Sequence, residues 1–462
     1  MRRIPRFVAP LLLLALAAPA AAWDEFIVLT TDFQTVGGVT RVGRHAPWSS
    51  AIDVATISSD AVGRWHDGRY YVVNRGASNI QVLDPAQGMA TVLQFSVGVG
   101  RNPQDIAFAS DGRAFVSCYD AALLLEVDPV AGGVVRSWST AAYADADGLP
   151  ETGWMQAVGD RLFVTCQRLD RNGWWVPVGP GRLLVFDMAA GTWDEPVVLT
   201  GANPYPPLSL APDGTRLLVP TVGWYGLLDA GIETVDLMTL ESSGLLATEQ
   251  QLAGEIVDVV MTGPDRAWVI VSDTSFRTHL KTFAPVAGGA PATVASTGGY
   301  DFVDLAWDGA DQVYLCDRTT GAAGLRVFDQ ASAAQLTTTP IATGRPPFQA
   351  VLPRDPGPTA TPVPAAAAGA RLDAPWPNPA NPRTTFAAAA APGDVVAFAV
   401  LDLRGRRLRE ERRTAGGDGR AVWEFDGCDR DGRALPSGAY HVTAAGGDGA
   451  AGADARLFTL AR

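Results

Sequence analysis

The chain has 462 residues, 47% hydrophobic and 18% charged, with 36 basic against 49 acidic residues and a formal net charge of −13. That length exceeds what one compact core usually holds, so at least two domains are expected. An acidic chain repels phosphates, which argues against a nucleic-acid partner. Lys281 is the only lysine, and the surplus of Arg, Ala and Gly reads as the codon usage of a GC-rich genome rather than as an arginine patch.

At the N-terminus, Arg2, Arg3 and Arg6 precede the apolar run Leu11–Ala18 and the small residues Ala20-Ala21-Ala22. This is the layout of a signal peptide, residues 1–22, and the apolar run is short for a membrane span. The expected address is therefore extracellular or the outer cell surface, reached through the periplasm. Phe26–Phe33 and Val36–Val42 then read as two strands with no first strand ahead of them, and Ile52–Ser58 as the strand that follows.

From there one pattern recurs about every 40–50 residues, a period typical of β-propeller blades. Its clearest copy is PQDIAFASDGRAFVSCYDAALLLEVDPVAG from Pro103: a short apolar strand, an Asp-Gly turn, an aromatic strand, and a third strand ending in Asp. Six turns of this kind align, at Asp67-Gly68, Asp111-Gly112, Gly159-Asp160, Asp213-Gly214, Pro264-Asp265 and Asp308-Gly309. Asp-Gly supplies the positive φ angles of a tight hairpin. A second marker, as in IQVLDPAQG and LLVFDMAAG, follows each hairpin except the one near Glu255, where it is weak. After Arg345 only one strand remains, PPFQAVL, so the N-terminal strands are expected to close the last blade. The fold class expected for residues 23–354 is all-β, a seven-bladed β-propeller, with six or eight blades left open.

Cys118, Cys166 and Cys316 fall at one register, the end of the second strand of three blades, and Cys428 lies far downstream. Equivalent points of different blades are too distant for a disulfide, so buried free thiols are expected. In ADADGLPETGW, Asp145, Asp147 and Glu151 place carboxylates at spacings that a calcium loop uses, although the full EF-hand spacing is missing. No cofactor is expected; calcium is the one candidate, against a plain acidic loop. The loops after the second strand are long in three successive blades and carry Trp174, Trp175, Trp224, Tyr225 and Phe276, with Arg168, Asp170 and Arg171 nearby. Aromatics interleaved with charge on one face suit a glycan, peptide or protein surface, the alternative being local packing between loops. Asp60, Asp105, Asp258 and Asp304 sit at or near innermost strands, either lining the channel or capping turns. His45, His66, His279 and His441 are scattered, and no nucleophile elbow or metal-ligand spacing appears.

The phrase YYVVNRGASNIQVLD followed by VGVGRNPQDIAFASDGRAFVSCYD resembles the YVTN-type repeat propellers of exported bacterial and archaeal proteins, over Asp24 to about Pro353. Those motifs specify blade geometry and leave function open, since related rings serve as enzymes, surface-layer components and binding scaffolds.

DPGPTATPVPAAAAGA, within residues 355–371, is a Pro/Thr/Ala linker. Beyond it, short alternating strands suggest a small antiparallel sandwich over residues 372–462. PWPNPANPRTTF, VLDLRGRRL, VWEFDGCDRDGRALPSGAYHV and LFTLAR resemble the immunoglobulin-like C-terminal domain of flagellar hook-capping proteins and many type IX secretion substrates. The tetrads Asn378-Pro379-Ala380-Asn381 and Leu435-Pro436-Ser437-Gly438 and the charged last residue Arg462 fall where that family has them, while Ala387–Ala391 departs from its usual apolar strand. The resemblance implies an export address read by outer-membrane secretion machinery, the bland reading being an inert cap. The function expected from the whole is an exported, non-enzymatic binding or scaffold propeller at the cell surface. The alternatives are a metal-dependent lactonase or hydrolase in the channel and a surface-layer structural protein.

Overall fold

Apolar runs such as RYYVVN, AFVSC and RLFVTC lack the in–out alternation of a half-solvated strand, and the structure shows why. Arg69–Asn74, Ala114–Cys118 and Arg161–Cys166 are second strands of four- and five-stranded sheets and are buried on both faces. The outermost strands Ala90–Ser96 and Val134–Ser139 are largely exposed. A computed structural model describes residues 24–353, 371–373, 375–390, 392–402, 407–417, 419–430, 432–446 and 453–461. The expected signal peptide, almost all of the linker and Arg462 lie outside the described residues.

Among the described residues, 24–353 form seven antiparallel sheets in chain succession, beside one two-stranded loop ribbon. Sheet 1 combines Pro347–Val351 with Glu25–Thr31, Val36–Gly43 and Ser50–Ser58, in that order from the inside. Sheets 2 to 7 begin with the innermost strands Val62–His66, Pro103–Phe108, Thr152–Val158, Ser209–Leu210, Glu255–Gly263 and Phe302–Trp307. The two chain ends of this region meet as the sequence requires, with Ile27 opposite Val351, Val28 opposite Ala350 and Leu29 opposite Gln349.

Each pair of neighbouring sheets shares a core, and the cores run in a cycle. Leu29 and Val351 pack with Val72 between sheets 1 and 2, and Val73 packs with Val116 between sheets 2 and 3. The series continues through Phe115 with Phe186, Val185 with Val219, Val222 with Val271, and Trp268 with Leu315. It ends with Tyr314 and Leu325 against Phe26 and Val28 of sheet 1. Sheets whose cores link head to tail in this way define a β-propeller, in which each sheet covers the next and edges survive only at the rim.

Local details refine the expectation. Only Asp67-Gly68 has both turn residues at positive φ, 44° and 78°; at the other Asp-Gly turns the glycine alone adopts it. The Asp that ends most third strands caps the following turn, as Asp128 does for Val130 and Ala131. Sheet 6 lacks that Asp, and Asp265 of its first hairpin accepts from Val286 and Ala287 instead, which is why its marker is weak although all four of its strands form. Sheet 7 has three strands, with isolated bridges Leu325–Ile341 and Phe328–Gln335 in place of a fourth.

The innermost strands carry the strongest constraint. Asp105, Asp258 and Asp304 each reach sideways to a backbone N–H of the next sheet, from Met155 at 2.8 Å, Leu305 at 2.7 Å and Ala350 at 2.9 Å. Ser209 accepts from Met261 at 3.0 Å and Gln349 from Gly63 at 2.7 Å in the same sense around the ring. Between sheets 2 and 3 the tie is an ion pair, in which Arg64 donates to both oxygens of Asp105.

The tail has its own core. Arg371–Leu372, Thr384–Ala389 and Arg420–Phe425 form one sheet; Arg407–Thr414, Val395–Leu401, Gly438–Gly446 and Ala453–Leu460 form another. Phe386, Phe398, Trp423, Phe425 and Phe458 fill the space they share. The alanine run supplies a strand in which Phe386 and Ala388 point inward. The two motif tetrads are structural: Asn378 accepts from Thr459 at 2.9 Å, Ala380 bonds on both sides to the final strand, and Leu435 is buried.

Asp304→Ala removes the acceptor for Ala350 N–H and leaves a buried donor unpaired, which lowers unfolding free energy by about 1–3 kcal/mol. Asp304→Asn retains an acceptor and is expected to lose less. Denaturant unfolding of both variants checks this; equal stability would show that the tie has no energetic weight.

Candidate functional site

Strand direction sorts the connections onto two faces. First strands end at the Asp-Gly hairpins, so second strands return and deliver the second-to-third loops, together with the sheet-to-sheet links, to the opposite face. Trp174, Trp175, Trp224, Tyr225 and Phe276 all lie on that loop-bearing face. So do Arg168 and Arg171, and the structure adds Phe33, Arg75, Tyr119, Tyr205, Tyr300 and Arg318.

The aromatics are exposed: Trp174 by 89%, Phe276 by 60%, Tyr205 by 58%, and Trp175, Trp224 and Tyr225 by about half. Several stand on strained backbone. Phe33, Arg168, Trp174, Trp175 and Phe276 have φ between 57° and 65°, a left-handed region that non-glycine residues seldom occupy. Such conformations persist only where the surrounding loop fixes them, and here they aim bulky side chains outward.

Two clusters result. In the first, Tyr119 and Trp175 stack with centroids 6.3 Å apart, and the Arg171 guanidinium lies beside the pair, 5.1 Å and 4.9 Å from their ring centres. It also bonds Asp120 at 2.7 Å, Glu151 at 2.8 Å and the Tyr119 carbonyl at 2.9 Å. Arg171 is thus a brace that presents Trp175, with its donors engaged inside the loop. In the second, Tyr225 and Phe276 stack with centroids 6.4 Å apart. Between the clusters, Trp224 lines a cleft of about 180 Å³ with Val176, Pro177, Gly179, Ala202 and Asp229. Arg168 is half-buried, and its Nε is buried without a hydrogen-bond partner.

The acidic loop serves the first cluster. Asp145 caps Asp147 N–H, Asp147 accepts from Leu149 and Arg171 backbone, and fully buried Glu151 accepts from Leu169 and from the Arg171 side chain. Oδ2 of Asp145 is buried without a hydrogen-bond partner, and burial with the neighbouring Asp147 carboxylate raises the Asp145 carboxyl, whereas backbone N–H groups of Leu149 and Arg171 hold that of Asp147 down against its burial. A calcium ion at these three residues would have to displace those donors. Among the described residues no group of three or more His, Cys, Asp or Glu has the geometry of a metal site.

Within the ring, burial pushes the carboxyls of Asp258 and Asp304 upward, and Asp258 is raised further by the neighbouring charge of Asp304. Asp60 sits higher, at the mouth, where it accepts from Gly76 N–H at 2.9 Å. The sequence reading missed Arg75, Arg318, Tyr119 and Tyr205. The first three follow the second strand by one or two residues in VVNR, VSCYD and LCDR, a register signal visible once the repeats are aligned.

No protein-family model matches the chain, and no curated protein is similar to it. Among solved structures it is similar to PorZ of Porphyromonas gingivalis, described as an essential surface component of the type-IX secretion system. That match has 15% identity and TM-score 0.44 over 93% of this chain, which spans 64% of the other's length. Hydrazine synthase of Kuenenia stuttgartiensis matches at 13% identity, TM-score 0.46, over 60% of this chain and 84% of its own. A streptogramin B lyase matches at 10%, TM-score 0.45, over 64% and 91%. Likeness at this level carries no conclusion about activity. No helix among the described residues is long and apolar enough to cross a membrane.

Buried carboxyls give the ring a pH signature. Burial raises Glu151 to about 7 and Glu249 to about 8, against 4.5 for an ordinary glutamate. Between about pH 4.5 and 8 the folded chain therefore binds more protons than the unfolded chain, so stability falls as pH rises through that window. Thermal unfolding is expected at a higher temperature at pH 5 than at pH 8.5, with a shallower slope for Glu249→Gln; a profile that rises over this range contradicts the assignment.

Proposed function

We propose that the protein is an exported binding module: a seven-bladed propeller whose loop-bearing face engages a glycan, peptide or protein at the outer cell surface. The observation that carries this reading is the group of exposed aromatics Trp174, Trp175, Trp224, Tyr225 and Phe276, held on strained loops on one side of a closed ring. Large exposed rings beside polar groups mark interaction surfaces, because each offers wide contact area at little cost in side-chain entropy. Residues 372–462 act as an immunoglobulin-like address for outer-membrane secretion machinery. Support for that comes from the resemblance of the tail motifs and from its separate core, which shares no residue with the ring.

The channel hydrolase reading is less well supported. Asp105, Asp258 and Asp304 each hold a backbone N–H of the next sheet, and Asp105 also holds Arg64, so a metal would compete with the contacts that close the ring.

Two measurements test the proposal. Binding of the full chain to a broad array of glycans and peptides is expected to drop at least about tenfold in Trp174→Ala and Trp224→Ala, each a residue of the size that dominates interfaces. Unchanged binding in both sinks the binding face. Removal of Asp373–Arg462 is expected to leave a folded ring in the periplasm; surface delivery as before would refute the address.

A further inference from the structure

Inward of the aromatic loops, the channel mouth holds two arginines that are bonded to no carboxylate among the described residues. Arg75 follows the second strand of sheet 2 and Arg318 that of sheet 7, so they flank closing sheet 1 on the loop-bearing face. Among the described residues neither makes an ion pair. Arg75 Nε is buried with no hydrogen-bond partner, and Arg318 Nε donates to the Pro347 carbonyl at 2.9 Å. Their guanidiniums rest instead on aromatic faces. Arg75 lies 5.4 Å from the ring of Trp154, a residue of sheet 4's innermost strand, and therefore leans across the axis. Arg318 lies 4.9 Å from Phe33 and 5.1 Å from Phe348.

The acids within electrostatic reach are already engaged. Asp60 holds Gly76 N–H, Asp105 is paired with Arg64, and Asp304 holds Ala350 N–H. Burial accordingly keeps both guanidiniums below the ordinary arginine value. Tyr205, in the link between sheets 4 and 5, and Tyr300, in the link between sheets 6 and 7, stand on the same end of the channel as both arginines. Partly desolvated guanidiniums without a counterion are costly, and an incoming carboxylate matches their planar donor fork.

We propose that the axial mouth is a subsite for a carboxylate-bearing saccharide, its carboxylate held between Arg75 and Arg318 and its sugar rings carried outward over the exposed aromatics. This deepens the reading of the loop-bearing face and rests on it. A saccharide is favoured over a peptide because Tyr225–Phe276 and Tyr119–Trp175 offer stacked flat rings near the mouth, whereas strand addition by a peptide needs a free sheet edge, and those edges lie at the rim.

The test is an array of uronate- and sialate-bearing glycans, their neutral counterparts and acidic peptides, probed with the full chain at low and high salt. Carboxylated glycans are expected to bind at least about tenfold tighter than neutral ones, with salt weakening the preference. Arg75→Gln is expected to erase that preference at unchanged thermal stability, Arg318→Gln to erase it with some loss of stability from the broken Pro347 bond, and Arg318→Lys to retain part of it. Neutral glycans bound equally well, or Gln variants with the preference intact, overturn this proposal and leave the aromatic face standing. Binding of acidic peptides alone overturns the saccharide assignment, and binding of no probe overturns both readings.

Discussion

The ring depends on how innermost strands satisfy their backbone. These strands are flanked by neighbours on both faces, and several carry a register irregularity, at Thr152–Met155, Ile256–Asp258 and Phe302–Asp304. A bulge interrupts the ladder and re-aims side chains, leaving donors that must be satisfied from elsewhere. In this chain the partner comes from the preceding sheet: Asp105 for Met155, Asp258 for Leu305, Asp304 for Ala350. Five such ties, with those from Ser209 to Met261 and Gln349 to Gly63, point the same way round, and the Arg64–Asp105 pair joins sheets 2 and 3 in the opposite sense; each fixes the rotation of one sheet against its neighbour. Hydrophobic cores alone would tolerate sliding; a short directional bond does not.

Once the ring is fixed from within, the loop-bearing face is free to carry strain and exposed rings. Left-handed backbone at Trp174, Trp175 and Phe276 costs energy, as does the exposure of their side chains. The acidic loop shows how one such segment is held: Glu151 and Asp120 anchor Arg171, and Arg171 in turn supports Trp175. Arg171, a candidate ligand contact by sequence, is in the fold tied to its own loop beside the Trp175 ring.

Repeats made the architecture legible. Asp-Gly turns, third-strand Asp caps and the missing first strand at the N-terminus are local or count-based signals, and the pairing of Leu29 with Gln349 follows from them. Side-chain direction was harder to read. Whether Asp105 points to the axis, to a turn or to the next sheet depends on a bulge, which no spacing rule reveals. The same holds at the mouth, where Arg75 and Arg318 come from sheets far apart in sequence and share one end of the channel only because the ring closes.

The buried reactive groups are silenced by the same packing. Burial raises the thiols of Cys118 and Cys166 to about 12 and that of Cys316 well above the ordinary value, so all three stay protonated and weakly nucleophilic. Their common register at strand ends keeps them in separate sheets, and each is free and buried. The inner acids hold backbone donors, and the cysteines fill small buried spaces. Groups with reactive potential inside the ring are therefore committed to structure, while exposed aromatics and the arginines without carboxylate partners gather outside it on one face. That segregation is the ground on which the proposed binding face rests.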